Sequence, residues 1–150
     1  KMSLKPITLT LSNASKYRTS YFSLLNQLTD SPLLTEKQFL SVLHSVLKHS
    51  HIFIIVSETE STAPLVVGSA SVVIEQKLIK DACRVGHLED VVIHSEYRKL
   101  GLGQVLVEAC KEKARSEGCI KIILDCGQKN LPFYEKCGFV RSGIEMKCDF

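Results

Sequence analysis

Long apolar runs are missing from this sequence of 150 residues. No stretch approaches the roughly 20 consecutive apolar residues that a membrane-spanning helix needs, and the N-terminus lacks the apolar core of a secretory signal peptide. We therefore expect an intracellular protein without a membrane partner. The cytoplasm is the favoured compartment, with an organelle as the alternative.

Metal-binding spacings are missing as well. None of the six cysteines stands at CxxC spacing from another, and the five histidines are dispersed along the chain. Most of the cysteines lie in apolar segments, where a free thiol behaves as a small hydrophobic side chain. These features predict reduced cysteines and no metal site.

The sequence also lacks a strong charge of either sign. The net charge is +3 and the sequence pI is about 8.5, with basic residues that are scattered and form no stripe. This balance favours a small anionic ligand and argues against a nucleic-acid partner. The length fits a single domain over residues 1–150 with enough hydrophobic residues for a core, and the chain shows no repeat, low-complexity tract or linker.

Hydrophobic periodicity predicts a mixed α/β domain of order β-α-α-β-β-β-α-β-α-β. The predicted strands cover residues 7–11, 52–56, 65–79, 83–93 and 120–125, with a closing pair at 139–141 and 143–147. Residues 57–64 read as an exposed hairpin loop, and a tight turn is predicted near residues 80–82.

Helices are predicted between these strands. The first carries Tyr21, Leu24, Leu25 and Leu28 on one face, and the second starts at a capping box from Thr35 to Gln38. The third is marked by a buried stripe of Leu102, Val105, Leu106, Ala109 and Cys110, with Gly118 as its stop. The last is short, with Asn130 as its cap and Gly138 at its end.

The segment from 91 to 104 combines an apolar strand, a short basic loop with two spaced glycines, and a helix start. The first amides of a helix have no acceptor inside it, Gly101 and Gly103 keep side chains out of the way, and Arg98 and Lys99 add positive charge. The helix dipole alone contributes roughly 0.3–1 kcal/mol, so several amides and cations must act together. We predict a cradle for a phosphate or pyrophosphate. An ordinary strand-to-helix turn is the alternative, and a dinucleotide-binding motif is disfavoured because the third glycine is missing.

Carboxylates interrupt two of the predicted strands. Glu89 and Asp90 stand side by side, and Asp125 ends the next strand. Strict alternation places Asp90 with Leu88 and Val92 on one face and Glu89 on the other. Burying an unpartnered carboxylate is costly, so the pair indicates a substrate or water contact in a cleft, with a salt bridge or a solvated strand end as the alternative.

Taken together, these segments resemble the GNAT superfamily of acyl-CoA-dependent N-acyltransferases. Residues 98–103 match its R/Q-x-x-G-x-G/A motif, and Asn130 with Phe133 and Tyr134 matches its second signature. Residues 86–90, 121–126 and 133–139 are similar to the eukaryotic glucosamine 6-phosphate N-acetyltransferase family. The likeness is dense from about residue 75 to 146 and thins to 28–29 and 35–39 near the N-terminus.

The resemblance implies the GNAT fold, a central mixed and mostly antiparallel sheet flanked by helices and splayed between the strands ending at Ile93 and Asp125. It implies transfer of acetyl from acetyl-CoA to glucosamine 6-phosphate by direct attack in a ternary complex, for UDP-N-acetylglucosamine biosynthesis. It also implies a homodimer whose sugar sites involve both subunits. The alternatives are a GNAT enzyme for a polyamine or a protein N-terminus, and a non-catalytic acyl-CoA-binding module.

The resemblance also assigns roles to residues. Tyr134 would be the acid for the leaving thiolate, since a phenol of pKa near 10 can hydrogen-bond or protonate a thiolate of pKa about 8.5; a tyrosine that only packs in the core is the alternative. Glu89 and Asp125 would act in catalysis, and a backbone N–H near Val92 would stabilise the oxyanion. The acetyl-CoA contacts would be Val91, Val92, Ile93, Arg98, Lys99, Leu100, Gly101, Leu102, Gly103, Gln104, Asn130, Tyr134 and Lys136.

The remaining roles concern the sugar phosphate. Its phosphate would contact Lys77, Lys80 and Lys121, helped by Thr29. Its sugar ring and amine would contact Glu89, Asp90 and Asp125. The family usually has a basic residue where this chain has Asp149, which makes Lys147 the candidate replacement.

Overall fold

A five-stranded sheet forms the centre of the computed structural model, which describes residues 4–57 and 63–150. The strands, in spatial as well as chain order, are β1 (Pro6–Thr8), β2 (Ser50–Ser57), β3 (Leu65–Gln76), β4 (Arg84–Ile93) and β5 (Cys119–Ile123). Neighbouring strands are antiparallel except β4 and β5, which run parallel. The predicted mixed, mostly antiparallel sheet is confirmed. Most of the loop predicted at 57–64 lies outside the described residues.

The helices flanking the sheet are α1 (Ala14–Leu25), α2 (Glu36–Val46), α3 (Leu102–Ser116) and α4 (Leu131–Lys136), with 3-10 turns at Ser95–Tyr97 and Gln128–Asn130. The predicted capping box is present, because Thr35 Oγ1 accepts the Gln38 amide at 3.3 Å and Gln38 Oε1 accepts the Thr35 amide at 3.1 Å. Over the residues that the structure describes, no helix has the length and apolar character needed to cross a membrane.

Helix α3 begins and ends where glycines permit it. Gly101 before its first residue has φ +79° and Gly118 beyond its end has φ +77°, a region that favours glycine. Leu102, Leu106 and Cys110 are buried as predicted. Val105 is 41% exposed, however, and Val107 takes its place in the buried stripe.

Two apolar cores lie on opposite faces of the sheet. On one face, α1 and α2 cover Ile52, Ile54, Val66 and Val92 with the aromatic rings of Tyr21, Phe22 and Phe39. On the other face, α3 packs on Ile55, Val67, Val72 and Leu88. The two layers leave the β4 and β5 end of the first face with little cover, and the polar residues of those strands lie there.

A β-bulge breaks the alternation of β4. Ser69 pairs with Val92 and Ser71 with Glu89, so Asp90 and Val91 together stand opposite one residue of β3. Asp90 takes a φ of +52°. The strict alternation predicted for 88–93 is therefore wrong: Leu88 packs on the α3 face, Val92 packs on the α1 and α2 face, and both Glu89 and Asp90 are exposed.

Strands β4 and β5 stop pairing about halfway along β4. Their pairing runs from Arg84 with Cys119 to His87 with Ile123, while β4 continues to Ile93. The predicted splay is confirmed. It opens a gap bordered by the backbone of residues 88–93 and by the chain after β5.

The ends of the chain depart from the predicted strands. Strand β1 is shorter than predicted because the Asn13 side chain accepts the Thr10 amide at 2.8 Å and turns the chain. The closing pair at 139–141 and 143–147 is wrong, since no strand follows β5 in the described chain. A strand needs a ladder partner, and the apolar side chains of this tail instead stand exposed, at 84% for Val140, 92% for Ile144 and 90% for Met146.

Candidate active site

The loop that links β4 to α3 presents a helix N-terminus with little steric cover. The first hydrogen bond of the described helix joins the Val105 amide to Gly101 O at 3.2 Å, so the preceding amides have no acceptor inside α3. A Cβ placed on Gly101 would meet no atom within 4 Å. Arg98 Nε donates to Ile93 O at 3.1 Å and closes the loop, and Lys99 has φ +66°. This geometry suits an anion held by backbone amides beside two cations.

Gly103 has a second role that the motif alone did not predict. A Cβ at this position would lie 3.0 Å from Phe133 Cζ and 3.1 Å from Phe133 Cε2. The absence of a side chain therefore lets the aromatic ring of α4 lie against the first turn of α3. The two sequence motifs are in direct contact, which spacing in the sequence could not show.

The second motif carries the candidate acid. Asn130 occupies the cap position of α4 as predicted, but its side chain makes no capping hydrogen bond. Tyr134 is half-buried between Phe133 and Phe139, with ring centroids 4.9 Å and 6.0 Å away. Burial raises the pKa of Tyr134, and the nearby Cys126, Cys137 and Glu89 raise it further. The phenol is therefore protonated at neutral pH, which is the state that an acid needs.

The predicted carboxylates lie within electrostatic reach of one another. Although the Glu89 side chain is exposed overall, partial desolvation of its carboxyl raises its pKa, and Asp90, Asp125 and Glu145 add to the rise while His87 opposes it. Asp90 is placed beside Glu89 by the bulge, and Asp125 follows the end of β5. A carboxyl with a raised pKa accepts a proton more readily at neutral pH than an ordinary one does.

A cavity of about 180 Å³ is lined by residues of β4, of β3 and β5 on either side of it, and of the turn after β3. Its polar lining consists of Glu75, Lys77, Lys80, His87 and Lys121, and its apolar lining of Ile79, Cys83, Val85, Ile120 and Ile123. The fold thus brings together the three lysines that the resemblance assigned to the sugar phosphate. Thr29 lies exposed in the loop after α1 and is not part of this lining.

Glu75 organises the cavity, and sequence reasoning missed it. Its carboxylate accepts Lys77 Nζ at 2.7 Å and His87 Nε2 at 2.7 Å. These hydrogen bonds, first that of Lys77 and then that of His87, lower the pKa of Glu75. The only signal in the sequence was the alternation of Glu75 and Lys77 along one strand face, which does not reveal a partner on the next strand.

The other predicted contact residues are placed less decisively. Lys136 is exposed in the last turn of α4, and Lys147 Nζ lies 3.0 Å from Asp149 Oδ2 in the exposed tail.

All six cysteines are free, but Cys110 alone among them is fully buried, so the prediction that most lie in the core is too strong. Burial raises the pKa of Cys110 to about 12. In the described part of the chain, no group of three or more histidine, cysteine or acidic side chains is arranged to hold a metal.

Comparisons with known proteins agree with this arrangement. Residues 16–139 match the acetyltransferase (GNAT) family. The chain is 40% identical over 128 residues to glucosamine 6-phosphate N-acetyltransferase 1 of Oryza sativa subsp. japonica, covering 84% of this chain and 76% of that protein. A crystal structure of a Trypanosoma brucei acetyltransferase superimposes with a TM-score of 0.88 at 34% identity, covering 99% of this chain and 100% of that one. The crystal structure of Arabidopsis thaliana glucosamine-6-phosphate N-acetyltransferase superimposes with a TM-score of 0.86 at 33% identity, covering 99% of each chain.

Proposed function

The chain belongs to the acetyltransferase (GNAT) family, and on that premise we propose that it transfers acetyl from acetyl-CoA to the amine of glucosamine 6-phosphate. The products are N-acetylglucosamine 6-phosphate and CoA, and the sugar product serves UDP-N-acetylglucosamine biosynthesis. The observation that carries this choice of acceptor is the cavity lined by Lys77, Lys80 and Lys121 beside the gap between β4 and β5. The relatives that bear this enzyme's name support the same acceptor.

Acetyl-CoA binds along the open edge of β4. Past His87 the backbone of β4 has no pairing with β5 in the described sheet, so residues 91–93 offer hydrogen-bonding groups to the pantetheine arm in the manner of an added strand. The first amides of α3 then bind the pyrophosphate, with Arg98 and Lys99 beside it. Pantetheine and pyrophosphate thus follow one continuous path from the gap to the helix.

Transfer proceeds by direct attack with both substrates bound. The sugar nitrogen forms a bond to the thioester carbonyl carbon, the carbon–sulfur bond breaks, and a backbone N–H near Val92 stabilises the oxyanion. Glu89 or Asp125 accepts the proton lost by the amine, directly or through water. Tyr134 hydrogen-bonds or protonates the departing thiolate. No cysteine is needed as an acyl carrier, so Cys126 and Cys137 act as packing residues.

The sugar phosphate binds to the cavity lysines. Lys80 and Lys121 supply positive charge, while Lys77 is already hydrogen-bonded to Glu75. Thr29, which lies outside the cavity lining in the single chain, contacts the phosphate from the loop after α1. Lys147 serves as the basic residue of the tail in place of Asp149, although in this structure the two residues form an ion pair with each other.

A second subunit completes the protein. The exposed apolar side chains of residues 139–150 and of β5, where Ile120 is 57% exposed, support a homodimer in which the tail of one subunit lies on the other. The sugar sites then involve both subunits.

The substrate proposal is tested by a thiol-release assay over a panel of amines. Glucosamine 6-phosphate, glucosamine without the phosphate, spermidine and a peptide with a free N-terminus are compared at equal concentration. We expect the highest kcat/KM for glucosamine 6-phosphate. Deprotonating an alkyl amine such as spermidine, with a pKa near 10.4, costs roughly 4.6 kcal/mol at pH 7, and glucosamine lacks the phosphate that the cavity lysines would bind. A preference for spermidine or for the peptide would overturn the proposed acceptor.

The catalytic proposal is tested with Tyr134→Phe. We expect kcat to fall by about 10²-fold or more, the contribution typical of general acid catalysis, with an acetyl-CoA affinity close to that of the unaltered chain by titration calorimetry. Tyr97→Phe is the matched control, because that hydroxyl lies 3.2 Å from Ser57 Oγ at the end of β2. Wild-type protein that binds acetyl-CoA but turns over no amine would favour a non-catalytic acyl-CoA-binding module.

A further inference from the structure

His87 lies at the point where the two strands separate. It forms the last pair between β4 and β5, with Ile123, and its side chain lines the lysine cavity. Its Nε2 atom is 2.7 Å from Glu75 Oε2. Glu75 stands opposite Val85, so Glu75 and His87 are diagonal neighbours on one sheet face, a spacing that long side chains can bridge.

The contact with Glu75 fixes the ring. An ionised carboxylate only accepts hydrogen bonds, so Nε2 of His87 must carry a hydrogen. Glu75 is itself held by Lys77 Nζ at 2.7 Å. The imidazole is thereby oriented with one nitrogen committed to Glu75, among the ammonium groups of Lys77, Lys80 and Lys121 that share the cavity.

The same ring stands next to the candidate base. His87 and Glu89 flank Leu88 on a regular part of β4, because the bulge begins only after the pairing of Glu89 with Ser71. Their side chains therefore point to the same face, about 7 Å apart along the strand. The other groups that act on Glu89 are the carboxylates of Asp90, Asp125 and Glu145, and Glu89 in turn acts on the phenol of Tyr134. His87 favours the ionised form of Glu89, whereas these three carboxylates oppose it.

We propose that His87 is a positioning residue, oriented by Glu75, that holds Glu89 in the ionised form able to accept the proton of the substrate amine. This inference rests on the proposed acetyl transfer. In the step concerned, the nitrogen–hydrogen bond of the amine breaks as its nitrogen bonds to carbon, and the proton forms an O–H bond on Glu89. Glu89 returns to its ionised form by releasing that proton to water.

The test is the pH profile of kcat/KM for His87→Gln. Removing the imidazole should move the acid limb to higher pH by about one unit, which is about tenfold lower kcat/KM on the acid side, with activity recovered on the alkaline side. His87→Arg places a permanent cation at the same position and should not move the limb to higher pH. His44→Gln, on the surface of α2, is the matched control and should leave the profile unchanged.

Two outcomes would overturn the proposal. A loss of activity that is equal at every pH would make His87 merely structural, and a higher KM for the sugar phosphate with an unmoved acid limb would make it a phosphate contact. If His87→Gln does not fold, Glu75→Gln and NMR titration of the Glu89 carboxyl in that variant test the same point without turnover. If the amine panel identifies another substrate, the same profiles are measured with that amine, so the two proposals fail separately.

Discussion

At Glu89, the stability of the fold and the chemistry of the site oppose each other. Partial burial and the carboxylates of Asp90 and Asp125 raise its pKa above the ordinary value of 4.5. Between the ordinary pKa and the raised pKa of the folded state, the folded chain binds more protons than the unfolded chain. The free energy of unfolding therefore falls as pH rises through this range. At neutral pH the ionised side chain therefore destabilises the protein, while the proposed reaction needs that ionised form.

Glu89→Gln should consequently stabilise the protein while it impairs the reaction. We expect a higher melting temperature than wild type at pH 7, a difference that shrinks toward pH 4 as the wild-type carboxyl is protonated. Turnover of glucosamine 6-phosphate should fall. Thermal unfolding at both pH values together with the thiol-release assay provides the measurement.

Glu75→Gln is the matched control with the opposite sign. The pKa of the Glu75 carboxyl is lowered in the folded chain. Its contribution to stability is therefore present above the ordinary pKa and is lost as pH falls through the pKa of the folded state. This variant should melt at a lower temperature than wild type at pH 7. A Glu89→Gln variant that also melts lower would contradict the origin that we assign to the raised pKa.

Residue chemistry could be predicted where it depended on local sequence. The lysines and carboxylates of the candidate site were found because charged residues in apolar strands, together with the family motifs, required an explanation. The contact of Glu75 with His87 could not be found, because it depends on which residues of β3 and β4 face each other. That register is decided by the whole hairpin, and the residue types at positions 75 and 87 do not indicate it.

At the scale of elements, the two motif glycines differ in what they allow. Gly101→Ala must hold a side chain at φ +79°, which costs about 1–2 kcal/mol, and its Cβ adds bulk beside the free amides. Gly103→Ala gains about 0.5–1 kcal/mol of helix propensity but presses on Phe133 at 3.0 Å. We expect Gly101→Ala to lower stability and acetyl-CoA affinity, and Gly103→Ala to change stability by less than about 1 kcal/mol. Denaturant unfolding and calorimetry measure the two effects; the reverse order would contradict these roles.

The turn between β3 and β4 stores backbone strain near the cavity. Lys80, Asp81 and Ala82 have φ values of 48°, 55° and 55°, and Gln76 Nε2 holds the turn through the carbonyl of Ala82 at 2.6 Å. Ala82→Gly removes the steric penalty of a left-handed alanine, about 1–2 kcal/mol. It also costs about 0.5–1 kcal/mol, because glycine loses more backbone entropy on folding. We therefore expect a net stabilisation of up to about 1 kcal/mol by denaturant unfolding.

Ala109→Gly is the control for that substitution. It lies inside α3, where glycine should destabilise by about 1 kcal/mol. Equal losses of stability in the two variants would show that the turn carries no strain at Ala82.

Elements were predicted well where their ends are coded locally. The capping box of α2 and the glycines around α3 are chemical signals within a few residues, and the structure has both. The bulge at Asp90 and the missing strands after residue 138 were not predicted, because each depends on a partner elsewhere. Alternating side chains show that a segment can be a strand, but a neighbouring strand decides whether it is one.

For the whole molecule, β5 forms one of the two edges of the sheet, opposite β1. Beyond β5 no further strand pairs in the described structure, and Ile120 and Ile123 on that strand are 57% and 39% exposed. An open edge with apolar side chains promotes pairing with another chain. The tail after residue 138 carries apolar side chains that are nearly fully exposed, so it is suited to cover that edge in a second copy.

The tail should therefore determine the oligomeric state. We expect wild-type protein to sediment as a dimer at micromolar concentration, and the double substitution Ile144→Glu and Met146→Glu to shift it toward the monomer, because charges replace side chains that are 92% and 90% exposed in the single chain. Val42→Glu, at a 52% exposed position on α2, is the matched control and should leave the dimer intact. If dimerisation completes the sugar site, the double variant loses turnover of glucosamine 6-phosphate in the same concentration range in which it dissociates, while its acetyl-CoA affinity stays unchanged. A wild-type monomer with full activity, or a double variant that remains dimeric, would show that the tail does not form the subunit contact.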